Sequence, residues 1–186
     1  MILGSPYTGR KAKGYLAKRE DHRKWMMEQM TVADMLKGAT GNVLDVAIGT
    51  GRFMMIYNTL GLEVTGIDVS TDMMQQITGK AELIECSANK IMFSDKKFNT
   101  VVCVRLLHLV NEKEMQQIVK ELCRVAKDRI ILTIQLREQY YEGHDTATHV
   151  DKKFRKLIDS LGWKISVEIR LTSAGWYVMQ LGRRPK

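Results

Sequence analysis

Two glycines and one acidic residue have the types and the spacing of a nucleoside-binding site. Gly49 and Gly51 follow an apolar stretch, and glycine lets a backbone turn tightly and approach a ligand with no side chain in between. Asp68 follows at about 20 residues, the distance at which nucleotide-binding α/β units place an acid for the ribose hydroxyls. These three residues therefore predict a ligand that contains adenosine or a similar nucleoside.

The same stretch differs from two other glycine-rich motifs. A phosphate-binding P-loop ends in Gly-Lys-Ser/Thr, and no such sequence follows Gly51. A dinucleotide fingerprint needs a third glycine, and Met54 stands at its position. The missing glycine argues against a nicotinamide-dependent oxidoreductase.

These residues need an α/β framework to position them. Apolar residues around Leu44 predict a strand buried on both faces, as central parallel strands are. A helix begins after the turn at Met54, so that its free N–H groups point back at the turn. A second strand ends at Asp68, and Ser70 has the position of an N-cap for the next helix. Strands and helices alternate as far as Ile134, which predicts a right-handed parallel sheet.

Further helices and strands are predicted outside this region. An early helix has an apolar stripe at helical spacing, formed by Trp25, Met26, Met30, Ala33 and Leu36. Thr148 and Asp151 predict a capping box at the start of a late helix. Residues 163–171 and 175–181 predict a final pair of strands.

Four segments form an ordered series over roughly residues 41 to 134: VLDVAIGTGRF, VTGIDVSTDMM, ELIECSANKIMF and FNTVVCVRLLHLV. The series resembles the class I S-adenosylmethionine-dependent methyltransferases, and within them the small ubiquinone- and menaquinone-type enzymes. The resemblance implies an α/β fold of three layers, with a Rossmann-like, mostly parallel seven-stranded sheet and an antiparallel C-terminal strand. It also implies a basic N-terminal arm and helix over residues 1–40 that cap the site, and a cofactor-binding domain over residues 41–186.

The resemblance also assigns roles at the matching positions. The implied cofactor is S-adenosylmethionine, which becomes S-adenosylhomocysteine when its methyl group is transferred. Asp68 would bind the ribose, while Tyr15 and Arg19 of the N-terminal arm would close over the methionine end. The full set implied for the cofactor is Ala47, Gly49, Gly51, Asp68, Val69, Ser87, Ala88, Val104, Tyr15 and Arg19.

Three positions depart from the family pattern. Ala47 stands where the first glycine is usual, and Ser87 replaces an aspartate that accepts from the adenine amino group. Asn99 replaces the aspartate ahead of the fourth strand. Together these departures predict weaker or altered cofactor binding, and they leave open a use of the cofactor other than methyl transfer.

Candidate catalytic residues are few. Methyl transfer from a sulfonium needs a general base only if the nucleophile must lose a proton early. Arg105 and His108 follow the fourth strand, where family members face the substrate, and His144 and His149 flank a polar loop. No Cys-x-x-Cys pair and no cluster with metal-ligand spacing occurs, so the sequence predicts no metal site.

Charge and hydropathy limit the partners. The formal net charge is +8 and is concentrated at the ends, with +5 over residues 1–24 and +6 over residues 151–186. Such ends are able to bind nucleic acid, anionic lipid or an acidic substrate. No apolar run reaches the length of a membrane span, and we expect a cytoplasmic protein. The short cover over the site is also compatible with a homo-oligomer in which a second subunit encloses the substrate.

The sequence thus favours a methyltransferase that acts on an oxygen or nitrogen nucleophile of an unnamed acceptor. The alternative is a protein that binds S-adenosylmethionine for another purpose, such as nucleic-acid or partner binding. The departures at Ala47, Ser87 and Asn99 and the basic ends motivate that alternative.

Overall fold

The computed structural model describes residues 8–13, 15, 23–137 and 149–184. The helices are α1 (Gly9–Lys13), α2 (Arg23–Leu36), α3 (Met54–Thr59), α4 (Thr71–Met74), α5 (Glu112–Val125) and α6 (Asp151–Ser160), with a 3₁₀ helix at Leu107–Leu109. The strands are β1 (Asn42–Val46), β2 (Glu63–Asp68), β3 (Glu82–Glu85), β4 (Phe98–Cys103), β5 (Ala126–Arg137), β6 (His149–Val150), β7 (Trp163–Thr172) and β8 (Trp176–Arg183).

The strands form one sheet in the order β3-β2-β1-β4-β5-β8-β7. β1 is parallel to both β2 and β4, whereas β8 is antiparallel to its neighbours β5 and β7. The predicted mostly parallel seven-stranded sheet with an antiparallel C-terminal strand is therefore confirmed. β6 pairs with the end of β5 in addition, and two residues are too few to show a strand pattern in the sequence.

Successive residues of a strand point to opposite sides of the sheet, and here both sides carry apolar residues. Helices therefore cover both faces. One face packs against α2 and α3 through a cluster that includes Val32, Leu36, Val43, Tyr57 and Val102. The other face packs against α5 and α6 through a cluster that includes Leu44, Val101, Ile118, Leu122 and Phe154. The molecule therefore has three layers. Among the described residues, no helix is long and apolar enough to cross a bilayer.

The buried face of α2 differs from the predicted stripe. Trp25 and Leu36 are buried as expected, but Met26 and Met30 are 55% and 70% exposed. Glu28 lies in the interior instead, with no exposed surface. The predicted stripe was based on hydrophobicity alone, so it placed the methionines in the core and left Glu28 at the surface. The Glu28 carboxylate is buried because Arg52 and Trp176, which are distant in the sequence, donate hydrogen bonds to it.

The start of α6 also differs from the prediction. The helix begins at Asp151, and its N-cap is Val150, whose side chain makes no capping hydrogen bond. The predicted capping box is wrong, because His149 and Val150 pair with β5 as a strand. Thr148 lies outside the described residues. Arg155 holds the first turn instead, since its Nε donates to the Asp151 carboxylate at 2.8 Å.

The strand order reverses at β1. The chain runs outward from β1 to β2 and β3 and then returns to β4 on the other side of β1. In open α/β sheets, ligands bind outside the carboxyl ends of the strands at such a point. The fold therefore places the expected ligand site beyond the ends of β1, β2 and β4.

Candidate functional site

A cavity of about 400 Å³ lies at this position. That volume falls within the range of roughly 300–1,000 Å³ that is usual for small-molecule sites. Its walls come from the turn after β1, the end of β2, the segment after β3 and the segment after β4. Predicted cofactor residues in the wall are Tyr15, Ala47, Gly49, Asp68, Val69, Ser87, Ala88 and Val104.

Asp68 is held at the cavity wall by backbone donors. The N–H of Gly49 donates to Oδ2 and the N–H of Ser70 donates to Oδ1, each at 2.9 Å. Burial raises the pKa of the Asp68 carboxyl, and the backbone donors act in the opposite direction. A carboxylate has about four acceptor positions, so the backbone donors leave it able to accept from ligand hydroxyls as well. Gly49 and Asp68 are 19 positions apart in the sequence, and this hydrogen bond joins the glycine turn to the acidic residue.

The turn itself contains three residues in the left-handed backbone region. Their φ angles are +59° at Ala47, +58° at Gly49 and +75° at Gly51. Ala47 and Gly49 line the cavity, whereas Gly51 is outside the lining. A Cβ at Gly51 would lie 2.8 Å from Met54 Cγ, so this glycine allows α3 to pack closely. Ala47 adopts an angle that costs a residue with a Cβ about 1–2 kcal/mol.

A second carboxylate lines the cavity near the turn. Asp45, next to the last residue of β1, is buried and accepts from the Tyr57 hydroxyl at 2.9 Å. Desolvation raises the pKa of Asp45 to about 7, and the Tyr57 hydrogen bond opposes that shift. Sequence reasoning missed this residue as a site residue. The available signal was a single charged side chain inside an otherwise apolar strand.

A further wall of the cavity contains what we call the Glu28 cluster, formed by Trp25, Glu28, Arg52, Arg105 and Trp176. The buried Glu28 carboxylate accepts from the Arg52 guanidinium and, at 2.8 Å, from the Trp176 indole N–H. Arg52 also donates to the Trp25 carbonyl and lies 3.6 Å from the centre of the Trp25 ring. Burial lowers the pKa of Arg52, while its ion pair with Glu28 raises it. Trp25, Arg52 and Arg105 all line the cavity.

Arg105 occupies this cluster in a constrained conformation. Its φ is +63°, and its N–H donates to the Thr133 hydroxyl at 2.7 Å. Its Nη1 is 3.8 Å from Glu28 Oε2, and its guanidinium lies over the Trp176 ring at 5.3 Å. The structure thus brings the predicted Arg105 to the cavity, together with Glu28 and Arg52, which the sequence did not single out.

The predicted histidines are placed differently. The His108 ring packs edge-on against Trp176 at 4.8 Å and is outside the cavity lining. His149 is buried, its Nε2 is 2.7 Å from the Leu107 carbonyl oxygen, and it is outside the cavity lining. Burial lowers the pKa of His149. His144 and Arg19 lie outside the described residues.

Two departures from the family pattern have different consequences. Ser87 lines the cavity, and its hydroxyl accepts from the Asn89 N–H at 3.3 Å. Asn89 also lines the cavity, and its buried Oδ1 has no hydrogen-bond partner among the described residues. Asn99 lies at the opposite ends of the strands, where it bonds to Asn42 and Asp128. The expected effect of Asn99 on cofactor binding is therefore wrong, since its role is to join β1, β4 and β5.

Comparisons with known proteins find similarity to methyltransferases. A sequence profile for the methyltransferase domain matches residues 43–129. The chain is 29% identical over 143 residues to phosphatidylethanolamine N-methyltransferase of Cereibacter sphaeroides. This alignment covers 72% of this chain and 68% of that protein. It is 26% identical over 176 residues to the chloroplastic magnesium protoporphyrin IX methyltransferase of Arabidopsis thaliana. That alignment covers 83% of this chain but only 55% of the relative.

The fold also matches a solved structure. Magnesium protoporphyrin IX methyltransferase from Synechocystis PCC 6803 with bound S-adenosylhomocysteine superposes with a TM-score of 0.76 at 16% identity. The match covers 98% of this chain and 91% of that one. At this level of identity, the likeness establishes a common three-layer fold.

Proposed function

We propose that the chain is a class I S-adenosylmethionine-dependent methyltransferase and that it transfers a methyl group to an oxygen or nitrogen nucleophile. The observation that carries the proposal is the Asp68 carboxylate, fixed by the Gly49 and Ser70 N–H groups at the wall of a ligand-sized cavity. A carboxylate held in this way suits a pair of ribose hydroxyls. The ubiquinone- and menaquinone-type subgroup stays a prediction, as does the division into a cap at residues 1–40 and a domain at 41–186.

The residues around the cavity suggest how the nucleoside end is held. Val69 and Ala88 offer apolar surface on which an adenine ring can pack. The buried Asn89 Oδ1 has no hydrogen-bond partner among the described residues, and an amide oxygen accepts from an amino group. We therefore assign Asn89 the role that an aspartate at position 87 has in the family pattern. With this assignment, Asn89 supplies the acceptor that Ser87 does not.

The remaining walls suit the methionine end and the acceptor. S-adenosylmethionine supplies a methyl group on a sulfonium leaving group, so the protein mainly has to orient the nucleophile and exclude water. Phe53, Leu106 and Val110 line the cavity with apolar surface that excludes water. The arginines of the Glu28 cluster place positive charge in the same wall. Arg105, His108 and His144 stay predictions as catalytic residues.

The acceptor is proposed only by chemical class. Two relatives are named for phosphatidylethanolamine, which offers an amine nitrogen, and for magnesium protoporphyrin IX, which offers a carboxylate oxygen. Leu109 is 52% exposed and lines the cavity, so it provides apolar surface at the opening. We propose an acceptor with an apolar body and one nucleophilic oxygen or nitrogen.

Nucleic-acid binding, a homo-oligomer and a cytoplasmic location also stay predictions. The arginines of residues 151–186 already have partners within the chain. Arg155 binds Asp151 and Glu168, and Arg184 binds Asp159. Arg170 and Arg183 donate to backbone carbonyls. These four arginines are therefore weaker candidates for phosphate contacts than the net charge of the segment suggests.

A radiolabel assay tests the proposed function. Purified protein is incubated with S-adenosylmethionine labelled in the methyl group and, separately, with phosphatidylethanolamine, magnesium protoporphyrin IX and panels of simple amines and carboxylic acids. We expect label in at least one acceptor, loss of transfer in Asp68→Ala, and retention in Glu63→Gln, which changes an exposed residue at the other end of β2. Binding of S-adenosylhomocysteine without transfer to any acceptor would favour the alternative of a cofactor-binding protein.

A further inference from the structure

The guanidinium of Arg105 lines the cavity with hydrogen-bond donors that the fold does not use. The Arg105 side chain is 18% exposed. Its ion-pair partner is Glu28, whose Oε2 is 3.8 Å from Nη1, beyond the roughly 2.7–3.2 Å of an N–H···O hydrogen bond. Within the described part of the chain, the hydrogen bond that Arg105 donates comes from its backbone N–H, to Thr133. Its side-chain donors are therefore available to a ligand.

The Glu28 carboxylate already accepts from other donors. Its Oε1 accepts from Arg52, and its Oε2 accepts from the Trp176 indole N–H at 2.8 Å. Arg52 thus forms the close ion pair with Glu28, and Arg105 adds a second guanidinium beside the same carboxylate. The Glu28 cluster therefore has one positive charge in excess. Charges removed from water normally have a partner of opposite sign, so this excess indicates an anionic ligand.

Aromatic rings hold the Arg105 guanidinium in place without occupying its N–H donors. The guanidinium lies over the Trp25 and Trp176 rings, 5.9 Å and 5.3 Å from their centres. A cation at about 6 Å or less from an aromatic ring is attracted to it. The Trp25 carbonyl accepts from Arg52, and the Trp176 indole donates to Glu28. Because both rings are fixed, the guanidinium is oriented before a ligand binds.

The position of Arg105 in the sheet places it away from the nucleoside end of the cavity. Asp68 ends β2, whereas Arg105 follows β4. The guanidinium lies over Trp176, the first residue of β8, and β8 is on the opposite side of β4 from β2. Leu106 and Leu109 follow Arg105 along the chain and line the cavity with apolar surface. A group bound by Arg105 would therefore lie beside the surface that suits the apolar body of an acceptor.

We propose that Arg105 binds an oxyanion, a carboxylate or a phosphate, on the methyl acceptor. The planar fork of a guanidinium matches the geometry of both groups. A guanidinium is a permanent cation in proteins, so Arg105 anchors the acceptor and does not remove a proton from it. This assignment rests on the proposed function and narrows it. The acceptor has an apolar body, a nucleophilic oxygen or nitrogen, and an anionic group.

Titration of three small probes into the full chain, followed by NMR, tests the proposal. Hexanoate, hexyl phosphate and hexanamide share an apolar chain and differ in the head group. Each probe is titrated with and without saturating S-adenosylhomocysteine. We expect hexanoate or hexyl phosphate to bind roughly tenfold more tightly than hexanamide, because a hydrogen bond to a charged group contributes about that much. The anion that binds more tightly identifies which oxyanion the site takes.

Arginine variants connect the preference for anions to Arg105. R105Q should bind all three probes alike, and R105K, which keeps the charge without the planar fork, should retain part of the preference. R170Q is the matched control, because Arg170 is exposed on β7 and is outside the cavity lining. It should keep the whole preference. Thermal unfolding verifies that each variant is folded.

Three results would overturn the proposal. One is a wild-type protein that binds neither anion more tightly than hexanamide, and another is an R105Q protein that keeps the preference. The third is an R105Q protein whose affinity for S-adenosylhomocysteine falls as much as its affinity for the anions, since Arg105 would then hold the carboxylate of the cofactor. A wild-type protein that binds the anions through Arg105 but does not bind S-adenosylhomocysteine would contradict the proposed function and leave the anion site standing.

Discussion

Two walls of the same cavity are built in opposite ways. In the first, Asp68 is fixed by the backbone N–H groups of Gly49 and Ser70, which the parallel sheet brings to one edge. In the second, Glu28 is fixed by the side chains of Arg52 and Trp176, the latter 148 positions away. The first wall follows from local sequence and topology, whereas the second exists only after α2 and β8 have packed. The difference predicts that the first wall controls cofactor affinity and the second controls stability.

The largest expected effect on stability comes from Glu28→Gln. The glutamine amide oxygen can still accept from the Trp176 indole N–H, but the substitution removes the negative charge beside the buried Arg52. Breaking one side of a buried ion pair costs about 3–5 kcal/mol, which denaturant unfolding will show as a lower free energy of unfolding. Glu63→Gln, at an exposed position, should change it by less than about 0.5 kcal/mol. A Glu28→Gln protein as stable as the wild type would contradict the assignment of stability to this wall.

The next effect depends on pH and concerns Asp45. Its pKa of about 7 in the folded protein exceeds the ordinary value of 3.8, so the folded state binds the proton more tightly than the unfolded state. The resulting destabilisation is absent below about pH 4 and complete above about pH 7, with an upper limit of about 4 kcal/mol. Asp45→Asn should therefore gain stability relative to the wild type as pH rises through this window.

Denaturant unfolding at a series of pH values measures that difference. Asparagine keeps an acceptor for the Tyr57 hydroxyl, so the comparison isolates the charge of residue 45. Asp128→Asn, which changes an exposed carboxylate, serves as the control. A difference between Asp45→Asn and the wild type that stays constant across the window would show that the carboxyl titrates normally.

The smallest effect is expected at Ala47. Its φ of +59° strains an alanine, and glycine would relieve that strain. Glycine also makes the unfolded chain more flexible, so folding loses more conformational entropy and part of the gain is offset. We expect Ala47→Gly to raise the free energy of unfolding by about 0.5–1 kcal/mol. Ala33→Gly, inside α2, provides a control of opposite sign and should lower it by about 1 kcal/mol. Destabilisation by both substitutions would show that the backbone at Ala47 is unstrained.

The same contrast explains which features the sequence predicted. The sheet, the glycine turn and the place of Asp68 follow from runs of apolar residues and from spacing within one segment. Asp45 and Glu28 were missed, because a carboxylate is buried only where partners from elsewhere in the fold meet it. Met26 and Met30 were placed in the predicted apolar stripe because their side chains are apolar. Nothing in the local sequence indicated that Glu28 would be buried while these methionines are exposed. His149 is buried because its ring meets the Leu107 carbonyl, a contact between residues 42 positions apart.

The central claim is that the first wall holds the ribose of S-adenosylmethionine through Asp68. Calorimetric titration of S-adenosylhomocysteine into the wild type, Asp68→Ala and Glu63→Gln tests it most directly. Two hydrogen bonds to a charged group contribute about 1.5–3 kcal/mol each, so Asp68→Ala should weaken binding by roughly 100-fold or more while Glu63→Gln binds normally. Equal affinity of Asp68→Ala and the wild type, or no binding by the wild type, would contradict the claim.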